Sequence, residues 1–203
     1  MITIHHSPMS RSTRVIWFCE EIGLEYQLEP VEMFSDAMRR PEYLAVNPLG
    51  KVPAIEDDGF VLWETSAILQ YLDARYGDNQ LLPPRDTHVG ALAIQWLDYG
   101  ENPLTVIMGE IAAHSGPMPE DRRIPALVER GREVAQSLVD VIERALGSQQ
   151  WILGESFSAA DIMLLFGLMI ADHLGYVTDA TPRVRAYLER GMARPAFQRS
   201  VAQ

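Results

Sequence analysis

The residues best suited to chemistry fall in four short stretches. Ser10 stands at the start of a helix read over Ser10–Gly23, with Ser7 and Ser12 beside it; a serine there is a good N-cap. Val52-Pro53 comes after Gly50-Lys51, and a proline there can simply open an edge strand. Glu64-Thr65 opens a further helix, and a threonine hydroxyl with free backbone N–H groups forms a natural carboxylate site. A plain helix cap has the same residues. Ser158 and Asp161 have the spacing of a capping box, with Phe157 and Ile162 as its hydrophobic staple, and are expected to be structural.

Two further groups invite a reactive reading and are better read otherwise. Cys19 lies mid-helix on the apolar face with Val15 and Ile22, where cysteine is usually a small buried hydrophobe. His5-His6 reads as polar strand-end surface, because no carboxylate or third histidine accompanies it at metal-ligand spacing.

The elements that must position these residues change character along the chain. Ile2 and Ile4 alternate with polar residues as in a strand, and Tyr26–Val31 reads as a second, giving a β-α-β unit that favours a parallel pair. The segment 33–49, broken by Pro41 and Pro48, reads as loop. Val52–Glu56 and Phe60–Trp63 are strands joined by the Asp57-Asp58-Gly59 turn, and Thr65–Tyr76 is a helix stopped by Gly77. Residues 79–85, with Pro83-Pro84, read as a linker. Beyond it come only amphipathic segments, near 87–114, 120–146, 158–174 and 182–193, the first bent or broken at Pro103. The pattern predicts an α/β domain over 1–78 and an all-helical domain over 86–203.

Bulk properties narrow the function class. The 203 residues carry a formal net charge of -11 and a pI near 4.8, which disfavours nucleic acid as a partner. One cysteine permits no internal disulfide and no multi-cysteine zinc site. Met1–His6 turns polar at once, and Ile162–Ile170 is too short to span a bilayer, so a cytoplasmic protein without membrane association or metal is expected.

Four segments together resemble the cytosolic glutathione transferases. They are His6-Ser7-Pro8-Met9-Ser10-Arg11-Ser12-Thr13-Arg14-Val15 with Glu20–Tyr26, then Asn47–Ile55, then Glu64–Ile68, and late in the chain Gly154–Asp161. They occur in the family's order and span nearly the whole sequence. The resemblance, to a bacterial-looking, serine-type (theta- or beta-like) member, implies a thioredoxin-like domain followed by a helical one. It also implies glutathione as co-substrate and usually a homodimer, with a role in detoxification.

The resemblance further implies residue roles. Val52-Pro53 would be cis, with Val52 pairing with the cysteinyl part of glutathione like an added strand. Glu64 and Thr65 would grip the γ-glutamyl end, and Lys51 either attracts the glycine carboxylate or is a solvated surface lysine. Where tyrosine-type members carry their catalytic residue this chain has His5 and His6, and at the cysteine-type position it has Ser10. Ser10, four residues before Arg14 as in serine-type members, is the favoured thiolate stabiliser, with Ser12 as rival and Ser7 a weaker one. The expected reaction is addition or substitution on a small hydrophobic electrophile; peroxidase, dehalogenase or isomerase chemistry and a non-catalytic binding role are the alternatives. Met9, Met108, Ile111, Ala112 and Met118 either wall the acceptor pocket or belong to the core.

Overall fold

The first strand is central in its sheet and is buried along nearly its whole length. β1 (Ile2–His6) pairs in parallel with β2 (Tyr26–Pro30) and antiparallel with β3 (Ala54–Asp57), and β3 continues to β4 (Phe60–Trp63), giving the order β2-β1-β3-β4. The β3–β4 connection has two residues, Asp58 and Gly59, both at positive φ, as the Asp-Asp-Gly signal predicts. The computed structural model describes residues 1–33 and 35–203. Position 34, inside the segment read as loop, lies outside them.

The chain divides into two compact units, Met1–Leu81 with Arg194–Gln203, and Leu82–Ala193. In the first, α1 (Thr13–Ile22) and α3 (Thr65–Tyr76) contact each other and the sheet, burying Ile2, Ile4, Val15, Ile16, Ile55, Ile68 and Leu69. A smaller cluster of Val31, Tyr43 and Val52 forms with Met38 and Val46. Tyr43 comes from α2 (Pro41–Val46), a six-residue helix inside the segment read as loop. Pro41 and Pro48 suggest breakage, yet Pro41 occupies the first helical turn, where its missing N–H costs nothing.

The last ten residues return to this unit, a placement that the division at 86–203 does not anticipate. In α9 (Pro195–Ser200), Phe197 packs edge-on against Trp17 with centroids 4.8 Å apart. Arg194 grips Glu21 through two bonds of 2.6 Å, and Arg199 pairs with Glu20.

The second unit is built of helices, α4 (His88–Tyr99), α5 (Val106–Ser115), α6 (Pro125–Leu146), α7 (Ala159–His173) and α8 (Pro182–Met192), with one isolated β-bridge between Trp151 and Gly154. Pro103 does break the expected first helix. Between α4 and α5 lies a wide π-type segment, Gly100–Thr105, in which Asn102 leaves helical geometry (φ -127, ψ 116) before its cis bond to Pro103. α7 is buried along nearly its whole length, so the unit forms around it. Met108 and Ile111 are fully buried inside this unit and are therefore core, whereas Ala112 and Met118 are half-buried. No helix is long and apolar enough to cross a membrane among the described residues.

Candidate functional site

Strand parity decides where the two histidines go. His6 shares a face with Ile2 and Ile4, and His5 faces the opposite way, its ring 5.5 Å from that of Tyr43. Both rings are buried, which corrects the reading of His5-His6 as strand-end surface. The reason is that both faces of β1 are covered, with Tyr43 of α2 against His5 and the start of α1 at Ser12 against His6. His5 Nε2 meets Glu56 Oε1 at 2.8 Å, and His6 Nδ1 meets Ser12 Oγ at 2.8 Å.

The loop between β1 and α1 carries the serines. Met9 takes φ 56 and is 89% exposed, turning the chain so that Ser10 and Ser12 point inward. Ser10 is 6% exposed and Ser12 is 0% exposed. Their hydroxyl oxygens lie 2.7 Å apart, and the Ser12 N–H also donates to Ser10 Oγ at 3.2 Å. Ser10 is therefore not the cap of α1. Ser12 occupies that position, and its side chain makes no cap bond, being held by His6, Ser7 and Ser10 instead.

Helix α1 also sends the buried Arg14 across to α3, where its Nη2 donates to Thr65 Oγ1 at 3.1 Å. That bond occupies one Thr65 lone pair and leaves the hydroxyl proton to donate elsewhere. The first backbone bond of α3 runs from Ile68 N–H to the Glu64 carbonyl, so the amides of Thr65, Ser66 and Ala67 have no intrahelical acceptor. Glu64, which is exposed, sits at φ 75, a conformation uncommon for a residue with a Cβ and concentrated at functional sites. Ser10, Ser12, Arg14, Glu64 and Thr65 thus come from two helix starts in one unit.

The turn before β3 is built by Asn47. Its Nδ2 donates to the Lys51 carbonyl at 2.6 Å, its Oδ1 accepts from Leu49 N–H, and the Tyr43 hydroxyl donates to the same Lys51 carbonyl. Gly50 lies at φ 58, and a Cβ there would come within 2.3 Å of the Met38 carbonyl oxygen. We expect Gly50→Ala to displace the Lys51–Pro53 turn; a ligand affinity equal to wild type in the folded variant would show that the turn tolerates it. The Val52–Pro53 bond is cis, as the resemblance implies. Val52 lies outside the strand ladder, which begins at Ala54, while the Lys51 side chain is exposed.

Cys19 is fully buried, and burial together with the Glu20 charge pushes its thiol up to about 12. It stays protonated and unreactive at neutral pH. Among the described residues no group of three or more His, Cys, Asp or Glu side chains is placed to hold a metal.

In the second unit, Asp161 accepts the Ser158 N–H and hydroxyl on Oδ2, each at 2.7 Å. This is the acid half of the expected capping box. Sequence reasoning missed two more donors to Oδ1, the Ile152 N–H at 2.9 Å and the Tyr187 hydroxyl at 2.6 Å. Burial raises the Asp161 carboxyl above its ordinary range, against the pull of those donors. No local pattern marks Tyr187 as a partner, since it arrives from α8.

Comparison with known proteins places the chain in a family. Residues 8–75 match the model of the glutathione S-transferase N-terminal domain, and residues 125–190 that of the glutathione S-transferase C-terminal domain. A probable glutathione S-transferase of Oryza sativa subsp. japonica is 31% identical, over 92% of this chain and 89% of its own length. A maleylacetoacetate isomerase of Pseudomonas aeruginosa is 32% identical, over 88% of this chain and 84% of its own length. The solved theta class glutathione S-transferase of Xanthomonas axonopodis pv. citri, with glutathione bound, superposes with a TM-score of 0.84 at 28% identity, covering 100% of this chain and 97% of its own. The chain has the fold of these enzymes, and it belongs to the glutathione S-transferase family.

Proposed function

We propose that the chain is a glutathione transferase that binds glutathione on its first unit and presents the thiol, ionised, to a small hydrophobic electrophile. The observation that supports this reading is that polar groups suited to an anion lie in the segments matched by the family model. They are the buried Ser10 hydroxyl, the Val52 backbone outside the ladder, and the free amides of α3 with the Thr65 hydroxyl. Val52 N–H and C=O pair with the cysteinyl backbone as an added strand would, fixed in place by the turn that ends in Pro53. Thr65 and the α3 amides take the γ-glutamyl carboxylate, Glu64 takes the ammonium, and Lys51 draws the glycine carboxylate.

The chemistry needs the thiolate, because the thiol is a poor nucleophile. Lowering a thiol pKa by two units requires about 2.7 kcal/mol of preference for the anion. A single hydrogen bond to a charged group contributes about 1.5–3 kcal/mol, so Ser10 donating to sulfur is sufficient in scale. The serine gives up no proton; it donates a hydrogen bond and keeps the sulfur ionised.

We expect Glu64→Ala and Thr65→Ala each to weaken glutathione binding by about 1.5–3 kcal/mol, with a smaller effect on saturated turnover. Thr65→Ser keeps the hydroxyl that Arg14 donates to and should bind close to wild type. Calorimetry decides: unchanged affinity in both alanine variants places glutathione elsewhere.

A second reading keeps the thiolate and changes the reaction, supported by the isomerase relative. Retention on immobilised glutathione followed by assays with aryl halides, peroxides, haloalkanes and cis-alkenes separates the two. Retention without turnover of any acceptor would identify a binding module instead. The family reading brings a cytoplasmic homodimer with it, and sedimentation tests the assembly.

A further inference from the structure

The thiolate stabiliser has a supporting chain behind it that the mechanism above does not use. Ser12 Oγ, fully buried, has four polar neighbours: His6 Nδ1 at 2.8 Å, Ser10 Oγ at 2.7 Å, the Ser7 N–H at 3.2 Å and the Ser7 carbonyl at 3.3 Å. A hydroxyl has one proton and two lone pairs, so the four contacts compete and the proton must choose. Where it goes determines what Ser10 can do.

We infer that His6 and Ser12 are positioning residues that orient the Ser10 proton toward the glutathione sulfur, an inference that rests on Ser10 being the thiolate stabiliser. The hydrogen-bond count gives the direction. With the imidazole proton on Nδ1, His6 donates to Ser12 Oγ. The Ser7 N–H fills the second Ser12 lone pair. The Ser12 proton then goes to the shortest remaining acceptor, Ser10 Oγ, which also accepts the Ser12 N–H at 3.2 Å. Both Ser10 lone pairs are occupied, and its own proton is left to donate to the ligand.

The opposite tautomer reverses this outcome. With the proton on Nε2, Nδ1 becomes an acceptor and claims the Ser12 proton. Ser10 must then donate inward to Ser12 Oγ, and nothing is left for the sulfur. That arrangement also leaves a buried N–H without an acceptor, because His6 Nε2 has no hydrogen-bond partner among the described residues. The first arrangement gives every proton in the chain an acceptor and leaves over only one imidazole lone pair. Burial keeps the His6 pKa below its ordinary value, so near neutral pH the ring is neutral and must choose one tautomer. A bound thiolate facing Ser10 selects the outward arrangement, since only that one offers it a donor.

The test is ultraviolet titration of the glutathione thiolate bound to the full chain, in Ser12→Ala, His6→Leu, His6→Asn, Ser10→Ala and the Ser10→Ala/Ser12→Ala double variant. Asparagine places an amide near the position of Nδ1 and can still donate to Ser12. We expect Ser12→Ala and His6→Leu to raise the bound thiol pKa by about one unit, a tenfold loss of thiolate below both pKa values. His6→Asn should titrate close to wild type, and Ser12→Ala should add nothing in the Ser10→Ala background. Glutathione affinity at a pH where the thiol is protonated should hardly change in any variant.

The failures are distinct. If Ser10→Ala shifts the curve and neither Ser12→Ala nor His6→Leu does, the positioning chain is wrong while Ser10 keeps its role. An equal shift from Ser12→Ala with or without Ser10 means that Ser12 itself touches the sulfur, which also overturns the inference. A folded His6→Asn that behaves like His6→Leu removes the imidazole from the chain. If Ser10→Ala leaves the curve unmoved, the parent reading of Ser10 fails, and the inference falls with it.

Discussion

Asp161→Ala should destabilise the second unit far more than the loss of a helix cap. A cap interaction contributes about 0.5–2 kcal/mol. Asp161, however, accepts four hydrogen bonds, and two of the donors, the Ile152 N–H and the Tyr187 hydroxyl, come from outside the box. Both donors are buried, and the alanine side chain offers neither of them an acceptor; each unsatisfied donor costs about 1–3 kcal/mol. A loss of roughly 2–6 kcal/mol follows from those two alone, a large share of the 5–15 kcal/mol typical of a whole domain. The denaturant midpoint should fall steeply at constant m, and glutathione affinity per folded molecule should stay near wild type. Tyr187→Phe removes one donor together with its need for an acceptor, so it should cost much less. A drop below about 1 kcal/mol for Asp161→Ala would mean that the buried network contributes little. A collapse of affinity with an unchanged midpoint would make Asp161 a site residue.

Asp161 also illustrates what the sequence carries and what it withholds. Its pairing with Ser158 spans one helical turn, and a local pattern can express that. The Tyr187 hydroxyl reaches it from another helix, and no spacing rule links the two. The same boundary runs through the first unit. Thr65–Tyr76 was legible to the residue because apolar periodicity and Gly77 bracket it, and the β3–β4 hairpin because Asp58-Gly59 suits a turn with two positive φ values. Cys19 was legible as core from its helical face, and its full burial agrees. The histidines were misread because alternation assigns each to a face without saying what covers it, Tyr43 of α2 for His5 and the start of α1 for His6. α2 and α9 were missed because six residues behind a proline show too little periodicity to separate a helix from a loop. In the site, the motif residues were legible and their wiring was not. Ser10 and Ser12 are two residues apart, yet which of them caps α1 and which faces inward depends on Met9 turning the chain.

Ser10→Ala should leave glutathione binding largely intact and act on the ionisation of its thiol. The proposed cradle of Val52, Glu64 and Thr65 contains no Ser10 atom, so affinity for the protonated form should persist. What is lost is one donor to the anion, worth about 1.5–3 kcal/mol, and the conjugation rate near neutral pH should fall roughly 10- to 150-fold. The sign fixes the pH dependence. Ser10 stabilises the charged form and so lowers the bound thiol pKa; the variant's pKa is higher and its rate rises later with pH. The deficit is therefore greatest below both pKa values and closes in alkaline buffer, where both enzymes hold thiolate. Cys19 does not confuse the titration, since its buried thiol lies up at about 12. The alanine methyl also leaves Ser12 without its Ser10 contact, and the Ser7 carbonyl at 3.3 Å is then the acceptor available to its proton. The fold should accommodate the change, and the denaturant midpoint provides the control. A variant with the wild-type thiolate curve would transfer the role to Ser12. One that loses thiolate and fails to recover at high pH would show that Ser10 places the sulfur as well as ionising it.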